Sequence, residues 1–422
     1  MTTARKTGAV SILVGAVLVA ATATATAQDF GLRFGPVGDG PAATTGGYDR
    51  SFIREWQANP PKGFPTISKN NLAPTKAAVE RYQKIVADGG FVAVPEAEME
   101  RGLTHATVGL LRQRLLASGE LGEDSGSANF FGSELETAVK RFQASNGLAP
   151  TGIVDKRTIA ALNVPADVRL KQLKSNLSRL SGLSKLVSKK RYVLVNIPAA
   201  QVEVIEGDTV VSRHSGVVGK PDRPTPLLRS SISQLNFNPT WTLPPTVIKE
   251  DLIPKGQSMQ KGEQSVLEKY GIDAYEGGKK LTPGSIDWNS SRPQRLTYRQ
   301  APGKDNPLGF LKINFANSSS VYMHDSPKES VFGRNFRAAS SGCVRVQNIE
   351  KLAAWLLRGQ TGWDEAQIES IKESGKTKNV NVRRPVPLYF VYVTAWATED
   401  GVVQFRPDIY QKDGVGEIAA AY

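Results

Sequence analysis

The spacing of the apolar residues changes once along this 422-residue chain, close to Arg191. The clearest run before that point is Leu170, Leu173, Leu177, Leu180 and Leu183. Apolar residues that recur every three or four positions predict amphipathic helices. After Arg191, short β-branched runs alternate with turn residues, which predicts strands. The sequence therefore predicts an α+β multidomain chain, with a helical scaffold at 73–188 and a β-rich, β-sandwich-like domain at 189–410.

The amino terminus has the pattern of a secretory signal peptide. Arg5 and Lys6 precede an uncharged run that closes with Ala25-Thr26-Ala27. The apolar core is about 13 residues long, shorter than the ~20 that a membrane-spanning helix needs. We expect a signal peptide at 1–27 and no stable membrane span, with an uncleaved anchor as the alternative. The Gly- and Pro-rich stretch that follows, 28–72, predicts a flexible linker.

The chain carries 53 Lys and Arg against 40 Asp and Glu, a formal net charge of +13. A basic exported protein favours anionic surfaces such as cell-wall polymers or lipid headgroups. No Arg/Lys-rich helix is interleaved with aromatic residues, so a nucleic-acid partner is not expected. His105 and His214 belong to no group with metal-ligand spacing, and we predict no metal and no cofactor.

Cys343 is the only cysteine of the chain. It cannot form an intramolecular disulfide, so in an exported protein it is a candidate nucleophile. A thiol needs a neighbouring base to become a good nucleophile, and His324 lies 19 residues upstream on a predicted strand. The alternatives are a small buried hydrophobic residue for Cys343 and a structural strand residue for His324.

Three helices are predicted between residues 104 and 163. The phrase Glu136-Thr-Ala-Val139-Lys-Arg-Phe142-Gln143, followed by Asn146-Gly147-Leu148 and Thr158-Ile-Ala-Ala-Leu162-Asn163, resembles the small three-helix peptidoglycan-binding domain. The resemblance implies binding to the cell wall. A helical packing scaffold without a ligand is the alternative.

The residues around the cysteine resemble a second family. Tyr322-Met-His324-Asp, together with Ser340-Ser341-Gly342-Cys343-Val344-Arg345-Val346, is similar to the signature of the YkuD-type L,D-transpeptidase catalytic domain. Four further segments resemble its large Gram-negative periplasmic subfamily: Val195-Asn-Ile-Pro198, Gly216-Val-Val-Gly219-Lys-Pro-Asp-Arg-Pro-Thr225-Pro226, Asn238-Pro-Thr-Trp241-Thr-Leu-Pro-Pro245 and Asn306-Pro-Leu-Gly309. Many members carry a second histidine directly before Gly-Cys, where this chain has Ser341.

The resemblance implies a role for each residue of the signature. Cys343 would attack the donor stem peptide of peptidoglycan, and His324 would be the base. Gly342 and Cys343 N–H groups with the Tyr322 hydroxyl are candidates for the oxyanion site. We also predict four substrate contacts: Arg345, Arg337, Trp241 and Ser341. Structural roles are the alternatives for Tyr322, Trp241 and both arginines, and residues 249–300 are predicted to be an inserted substrate flap.

The two resemblances imply three alternative functions. The first is a periplasmic L,D-transpeptidase acting on stem peptides of the meso-diaminopimelate type, with a stem peptide, an outer-membrane protein or a lipoprotein as acceptor. The second is an L,D-carboxypeptidase that hydrolyses the same intermediate. The third is a non-catalytic peptidoglycan-binding protein, which would not require a thiol and a histidine at this spacing.

Overall fold

The computed structural model describes residues 61–122, 127–187, 191–262 and 264–416. The predicted signal peptide and most of the predicted linker lie outside these ranges. The end of that linker is described, and its prediction is wrong there, because Thr66, Ile67 and Asn71 are buried. Thr66 donates from its N–H and its hydroxyl to the buried Glu203 carboxylate, at 3.0 and 2.8 Å. These bonds anchor the segment on the β-rich domain.

Helices dominate the described chain up to residue 187. They are α1 Leu72–Ala87, α2 Ala106–Ser118, α3 Ser133–Ser145, α4 Lys156–Leu162 and α5 Ala166–Leu186. Asp155 caps the start of α4, since its carboxylate accepts the Thr158 N–H at 2.8 Å. Helices α2, α3 and α4 share one apolar core that includes Leu111, Leu135 and Leu162. The predicted helical half of the α+β class is therefore confirmed.

Nine strands of the described second half form one closed sheet. They are β1 Arg191–Asn196, β2 Gln201–Glu206, β3 Thr209–Gly219, β4 Leu228–Phe237, β9 Leu311–Phe315, β10 Met323–His324, β11 Ala338–Ser340, β12 Val344–Val346 and β13 Lys378–Val391. Their order is β11-β3-β12-β10-β9-β4-β13-β1-β2, and pairing of β2 with β3 closes the sheet. Alternate strand residues such as Val193, Val195 and Ile313 fill its interior. The predicted β-rich half is confirmed.

A smaller folded unit is inserted between β4 and β9. It contains β5 Trp241–Thr242, β6 Ile272–Glu276, β7 Lys279–Lys280 and β8 Thr297–Gln300, with α6 Pro245–Val247, α7 Ile253–Met259 and α8 Val266–Tyr270. Trp241, Leu252, Trp288 and Tyr298 belong to its own apolar core. Because this core contacts the partly buried Tyr322, the unit lies against the outer face of the closed sheet. We call it the flap.

Two helices and a terminal segment complete the described part of the β-rich half. Helices α9 Ile349–Leu357 and α10 Glu365–Ser374 pack on the core of the closed sheet. The hairpin of β14 Ala395–Ala397 and β15 Val403–Phe405 leads into residues 406–413, which we call the terminal strap. The strap contacts the helical half, where the Asp413 carboxylate pairs with Arg179 of α5 at 2.5 Å. Among the described residues, no helix is long and apolar enough to cross a membrane.

Candidate active site

Three neighbouring strands place a row of basic side chains on the outer face of the closed sheet. In β10, His324 pairs with Lys312 of β9 on one side and with Arg345 of β12 on the other. Met323 and Val344 belong to the interior core, so the alternating residues of these strands face outward. His324 therefore lies between two cationic side chains.

The next row on the same face contains Tyr322 and Cys343. The Val344 N–H donates to the Tyr322 carbonyl at 3.1 Å, which sets Cys343 beside Tyr322 across the two strands. The Tyr322 and His324 rings are edge to face, with centroids 5.6 Å apart. His324 is thus the diagonal neighbour of Cys343, and Tyr322 is its direct neighbour. The structure brings together four predicted site residues: Cys343, His324, Tyr322 and Arg345.

The nucleophile turn, residues 340–343, is held by its own first serine. The Ser340 hydroxyl donates to the Cys343 carbonyl at 2.5 Å and accepts the Gly342 N–H at 3.1 Å. Gly342 has a φ of 111°, a backbone conformation that favours glycine. Because its N–H is already bonded, Gly342 does not donate to an oxyanion in this conformation, contrary to the prediction. Its contribution is the shape of the turn.

A second loop, residues 220–225, holds the nucleophile turn at three consecutive positions. The Lys220 N–H donates to the Ser340 carbonyl at 3.0 Å. The Arg223 guanidinium donates to the Ser341 hydroxyl at 3.2 Å, and the Thr225 hydroxyl donates to the Gly342 carbonyl at 2.8 Å. We call this loop the clamp loop. Ser341, a predicted substrate contact, is bonded to Arg223 here.

The clamp loop also contacts the flap. Arg223 donates to the Asp251 carboxylate at 3.4 Å and lies 4.0 Å from Glu250, two residues of the flap. Arg223 therefore bridges the flap and the nucleophile turn. Trp241 is buried in the flap core, which also contacts Tyr322, so it lies next to the site. Its side chain also interacts with the side chain of Tyr322. Its contact with a substrate stays a prediction.

The two arginines predicted to hold a substrate carboxylate differ in their surroundings. Arg337 donates to the carbonyls of Gly216, Arg334 and Ala199 at 3.1, 2.9 and 3.0 Å. All three guanidinium nitrogens are engaged by backbone, so the structure does not support the predicted substrate role of Arg337. Arg345 lies on the outer face beside His324, and its Nε is buried without a hydrogen-bond partner in the described chain. Every guanidinium nitrogen of Arg337 thus already donates to backbone, whereas the Nε of Arg345 does not donate to any described residue.

Similarity to known proteins agrees with this geometry. Residues 190–369 match the L,D-transpeptidase catalytic domain of the YkuD family. The chain carries a YkuD-type L,D-transpeptidase catalytic domain. Residues 104–162 match a putative peptidoglycan binding domain, which includes α2, α3 and α4.

Each individual relative aligns with only part of this chain. A putative L,D-transpeptidase from Haemophilus influenzae is 36% identical over 225 residues, 52% of this chain and 44% of the relative. The chain therefore spans less than half the length of that curated relative. A crystal structure of an L,D-transpeptidase from Xylanimonas cellulosilytica covers 70% of this chain and 100% of its own, at 15% identity and a TM-score of 0.23. An L,D-transpeptidase from Mycobacterium smegmatis covers 48% and 58%, at 16% identity and a TM-score of 0.23.

Burial is the largest influence on the pKa of the Cys343 thiol in the L,D-transpeptidase domain. It raises the pKa of Cys343, whereas Tyr322 lowers that pKa through its backbone and its side chain, as do the charges of Lys312 and Arg345. The Lys312 Nζ lies 4.2 Å from the centroid of the Tyr322 ring. Because the net pKa shift is upward, the resting thiol is protonated at neutral pH. Cys343 therefore needs a base.

His324 of the L,D-transpeptidase domain is neutral at physiological pH. Burial, followed by the charge of Arg345, lowers its pKa to about 3. Its Nδ1 lies 2.6 Å from the Asp325 carbonyl oxygen, and a carbonyl only accepts, so Nδ1 carries the hydrogen. Nε2 is then the basic nitrogen of the neutral ring. The Asp325 carboxylate accepts the Phe310 N–H at 3.0 Å, so it holds the backbone before β9 next to His324.

Three residues of the L,D-transpeptidase site were not predicted from the sequence. Lys312 could have been found from the alternation in Leu311-Lys-Ile-Asn-Phe315, which places it on the face opposite the apolar residues. Arg223 and Thr225 lie more than 100 positions before Cys343, in a segment that resembles the subfamily but gave no role to either residue. In the described residues no group of three or more His, Cys, Asp or Glu is placed to hold a metal ion.

Proposed function

We propose that this protein is an exported L,D-transpeptidase that uses Cys343 as a covalent nucleophile on peptidoglycan stem peptides. One observation carries the proposal. Cys343 lies beside Tyr322 and diagonal to a neutral His324, on a face with two cationic side chains. A thiol, a base and an oxyanion donor on neighbouring strands are the groups that acyl transfer requires. The two matched domains support the choice of substrate.

Acylation is the first step of this mechanism. His324 Nε2 accepts the proton of Cys343, and the sulfur attacks the carbonyl that joins meso-diaminopimelate to the terminal D-alanine of the donor stem. The Cys343 N–H and the Tyr322 hydroxyl stabilise the oxyanion. The S–C bond forms, the C–N bond breaks, and the D-alanine amine leaves with the proton from His324. A thioester on Cys343 remains.

Transfer to an amine completes the cycle. The acceptor amine loses a proton to His324 and attacks the thioester carbonyl, the C–N bond forms, and the Cys343 sulfur leaves and is reprotonated. A stem-peptide amine gives a 3-3 cross-link, and an amine of an outer-membrane protein or lipoprotein gives an attached envelope protein. If water replaces the amine, it hydrolyses the same thioester, and the protein acts as an L,D-carboxypeptidase.

Positive charge supports recognition of a stem peptide. The donor stem ends in a carboxylate, and Lys312 and Arg345 flank His324 on the face where that stem would lie. An arginine binds a carboxylate through paired N–H groups, and the unpartnered Arg345 Nε is available for one such bond. Trp241 would form a wall of the cleft. The signal peptide at 1–27 would place this chemistry in the periplasm, with the helical domain bound to the wall.

Reaction products test the proposal directly. The protein is incubated with purified disaccharide-tetrapeptide and the products are followed by mass spectrometry. Dimers with released D-alanine support transpeptidation, tripeptide monomers identify a carboxypeptidase, and the absence of turnover identifies a binding protein. Cys343→Ala should abolish every product. Cys343→Ser is the matched control, because it keeps the size of the side chain and should fold while losing at least 10²-fold in rate.

A second arm tests the covalent intermediate. A thioester leaves Cys343 heavier by the mass of the donor stem without its D-alanine, which intact-protein mass spectrometry detects when acceptor is omitted. His324→Gln should slow formation of this adduct and keep the fold. An adduct on any other residue, or product formed by Cys343→Ala, would contradict the proposed nucleophile.

A further inference from the structure

We propose that Thr225 and Tyr410 are positioning residues for acyl transfer, which fix the Gly342 carbonyl and thereby aim the Cys343 N–H at the oxyanion. The proposal rests on the acyl-transfer chemistry proposed above and adds two residues that do not contact the reacting atoms. Thr225 lies in the clamp loop, and Tyr410 lies in the terminal strap. Thr225 is 117 positions before Gly342, and Tyr410 is 67 positions after Cys343.

The first step is the geometry of one peptide plane. The Thr225 hydroxyl donates to the Gly342 carbonyl at 2.8 Å. In a trans peptide the carbonyl of one residue and the N–H of the next point in opposite directions. The Cys343 N–H is therefore directed away from Thr225. It makes no hydrogen bond to a backbone carbonyl within the described chain. Fixing one end of this peptide fixes the direction of the other.

The second step is the way the Thr225 hydroxyl is itself held. It accepts the Gly219 N–H at 2.8 Å while it donates to Gly342, so its proton has a single direction. Gly219 allows this close approach, because a Cβ there would lie 2.2 Å from the Arg223 carbonyl oxygen and 2.6 Å from the Thr225 nitrogen. The clamp loop thus folds back on Gly219 and presents its hydroxyl to the nucleophile turn.

Tyr410 closes the base of the clamp loop. Its hydroxyl donates to the Gly219 carbonyl at 2.5 Å and accepts the Thr225 N–H at 3.1 Å. One phenol therefore joins the two ends of the loop. The Tyr410 N–H in turn donates to the Tyr392 hydroxyl at 2.8 Å, which fixes the strap on β13 and its continuation. Neither Tyr410 nor Thr225 is bonded to Tyr322 or His324 by any of these contacts.

The geometry makes a specific prediction about two reactions of Cys343. Acylation by p-nitrophenyl acetate forms an S–C bond, builds an oxyanion and releases p-nitrophenolate. Alkylation by iodoacetamide forms an S–C bond, releases iodide and builds no oxyanion. A residue that aims an oxyanion donor should therefore affect the first reaction and spare the second, whereas general damage to the site affects both.

The experiment uses the full chain with Thr225→Val, Thr225→Ser and Tyr410→Phe. Removal of a whole oxyanion donor costs ~10²- to 10³-fold in rate, so a donor that is merely loosened should cost about tenfold. Thr225→Val and Tyr410→Phe should lower the acylation rate by about this factor and leave the alkylation rate within about twofold. Thr225→Ser keeps the hydroxyl and should restore acylation.

Tyr82→Phe is the matched control. Tyr82→Phe removes another buried phenol hydroxyl, in α1 of the helical half, and should change neither rate. Wild-type acylation in both Thr225→Val and Tyr410→Phe would overturn the proposal. An equal loss of acylation and alkylation would also overturn it. Because neither reagent is peptidoglycan, these results are independent of whether the protein forms cross-links.

Discussion

The ring of Tyr322 is edge to face with the ring of His324, at a centroid distance of 5.6 Å, while its hydroxyl interacts with the Cys343 thiol. The Tyr322 side chain thus packs against the base, His324, and contacts the nucleophile, Cys343. Tyr322→Phe separates these two roles, because it keeps the ring and removes the hydroxyl. We expect acylation to fall by about 10²-fold, the usual effect of losing one oxyanion donor, with little change in the unfolding temperature. Stopped-flow acylation with full wild-type rate would exclude a role for the hydroxyl.

The pH dependence of activity should lack the acid limb of an ordinary histidine. Burial and the charges of Arg345 and Lys312 lower the pKa of His324 to about 3, so the imidazole stays a neutral base across pH 5 to 8. Burial raises the pKa of Cys343, so the thiol also stays protonated over this range. We expect a rate plateau between pH 5 and 8, measured by acylation. A wild-type acid limb near pH 6.5 would contradict this.

Arg345→Gln tests the electrostatic cause of that plateau. Removing a positive charge beside His324 makes its imidazolium less unfavourable, so the pKa of His324 rises and the acid limb moves to higher pH. Lys312→Met should move it in the same direction, since Lys312 is the cation on the other side of His324. Arg292→Gln is the matched control, because that arginine pairs with Glu276 on the exposed side of the flap. Its pH profile should be that of the wild type.

The bridge through Arg223 should hold the flap against the nucleophile turn. Arg223→Ala removes its contacts with Asp251 at 3.4 Å and with Ser341 at 3.2 Å. We expect faster amide hydrogen exchange in residues 248–259 and a KM for the donor stem that rises several-fold. Asp251→Asn, which removes only the flap side of the bridge, should accelerate exchange to a smaller extent. Unchanged exchange in both variants would show that other contacts hold the flap.

Substitution of alanine for either of two glycines near Cys343 should destabilise the protein, but for different reasons. At Gly342 a Cβ would have its nearest neighbour at 3.7 Å, so the cost comes from the φ of 111° and not from a clash. Gly342→Ala should lose acylation and destabilise the fold by about 1–3 kcal/mol. At Gly219 the Cβ would lie 2.2 Å from the Arg223 carbonyl, so Gly219→Ala displaces the clamp loop, at about 1–3 kcal/mol for overpacking. Proteolytic susceptibility should rise in the clamp loop of Gly219→Ala alone.

Arg337 should prove to be a stability residue. Burial lowers its pKa to about 10, and its guanidinium satisfies three backbone carbonyls. Arg337→Leu leaves those carbonyls unpaired, and we expect the free energy of unfolding to fall by at least about 2 kcal/mol. The KM for the donor stem, measured below the unfolding temperature, should not change. A raised KM without loss of stability would restore the substrate role that the sequence predicted.

The contrast between Arg337 and Arg345 shows where prediction from the sequence stops. Cys343, His324 and Tyr322 were predicted because their signature lies within 22 residues of chain. The partners of Arg337 at Gly216 and Ala199 are 121 and 138 positions away, and only the folded sheet brings them to it. Both arginines, eight positions apart, were therefore predicted as substrate contacts, and the sequence could not show that backbone carbonyls already occupy Arg337.

The same reason explains the residues that were missed. Tyr410 reaches the clamp loop from 185 positions away, in a strap whose own sequence has no catalytic pattern. The predicted linker failed at Thr66 because its partner, Glu203, is 137 positions away and a lone threonine carries no sign of it. Periodicity predicted both halves of the fold, since burial of alternate or every third or fourth residue is a local property. Hydrogen bonds between loops that are distant in sequence are not a local property, so periodicity does not predict them.

The nucleophile turn connects two strands that lie on opposite sides of a third. β11 pairs with β3 through Ala338 and Val218, and β12 pairs with β3 through Arg345 and Val217. Residues 341–343 thus arch over the end of β3, and the arch cannot lift unless β3 separates from both neighbours. Thermal inactivation should consequently be a global event: loss of acylation and loss of sheet structure should occur at one temperature, with no folded but inactive form in between.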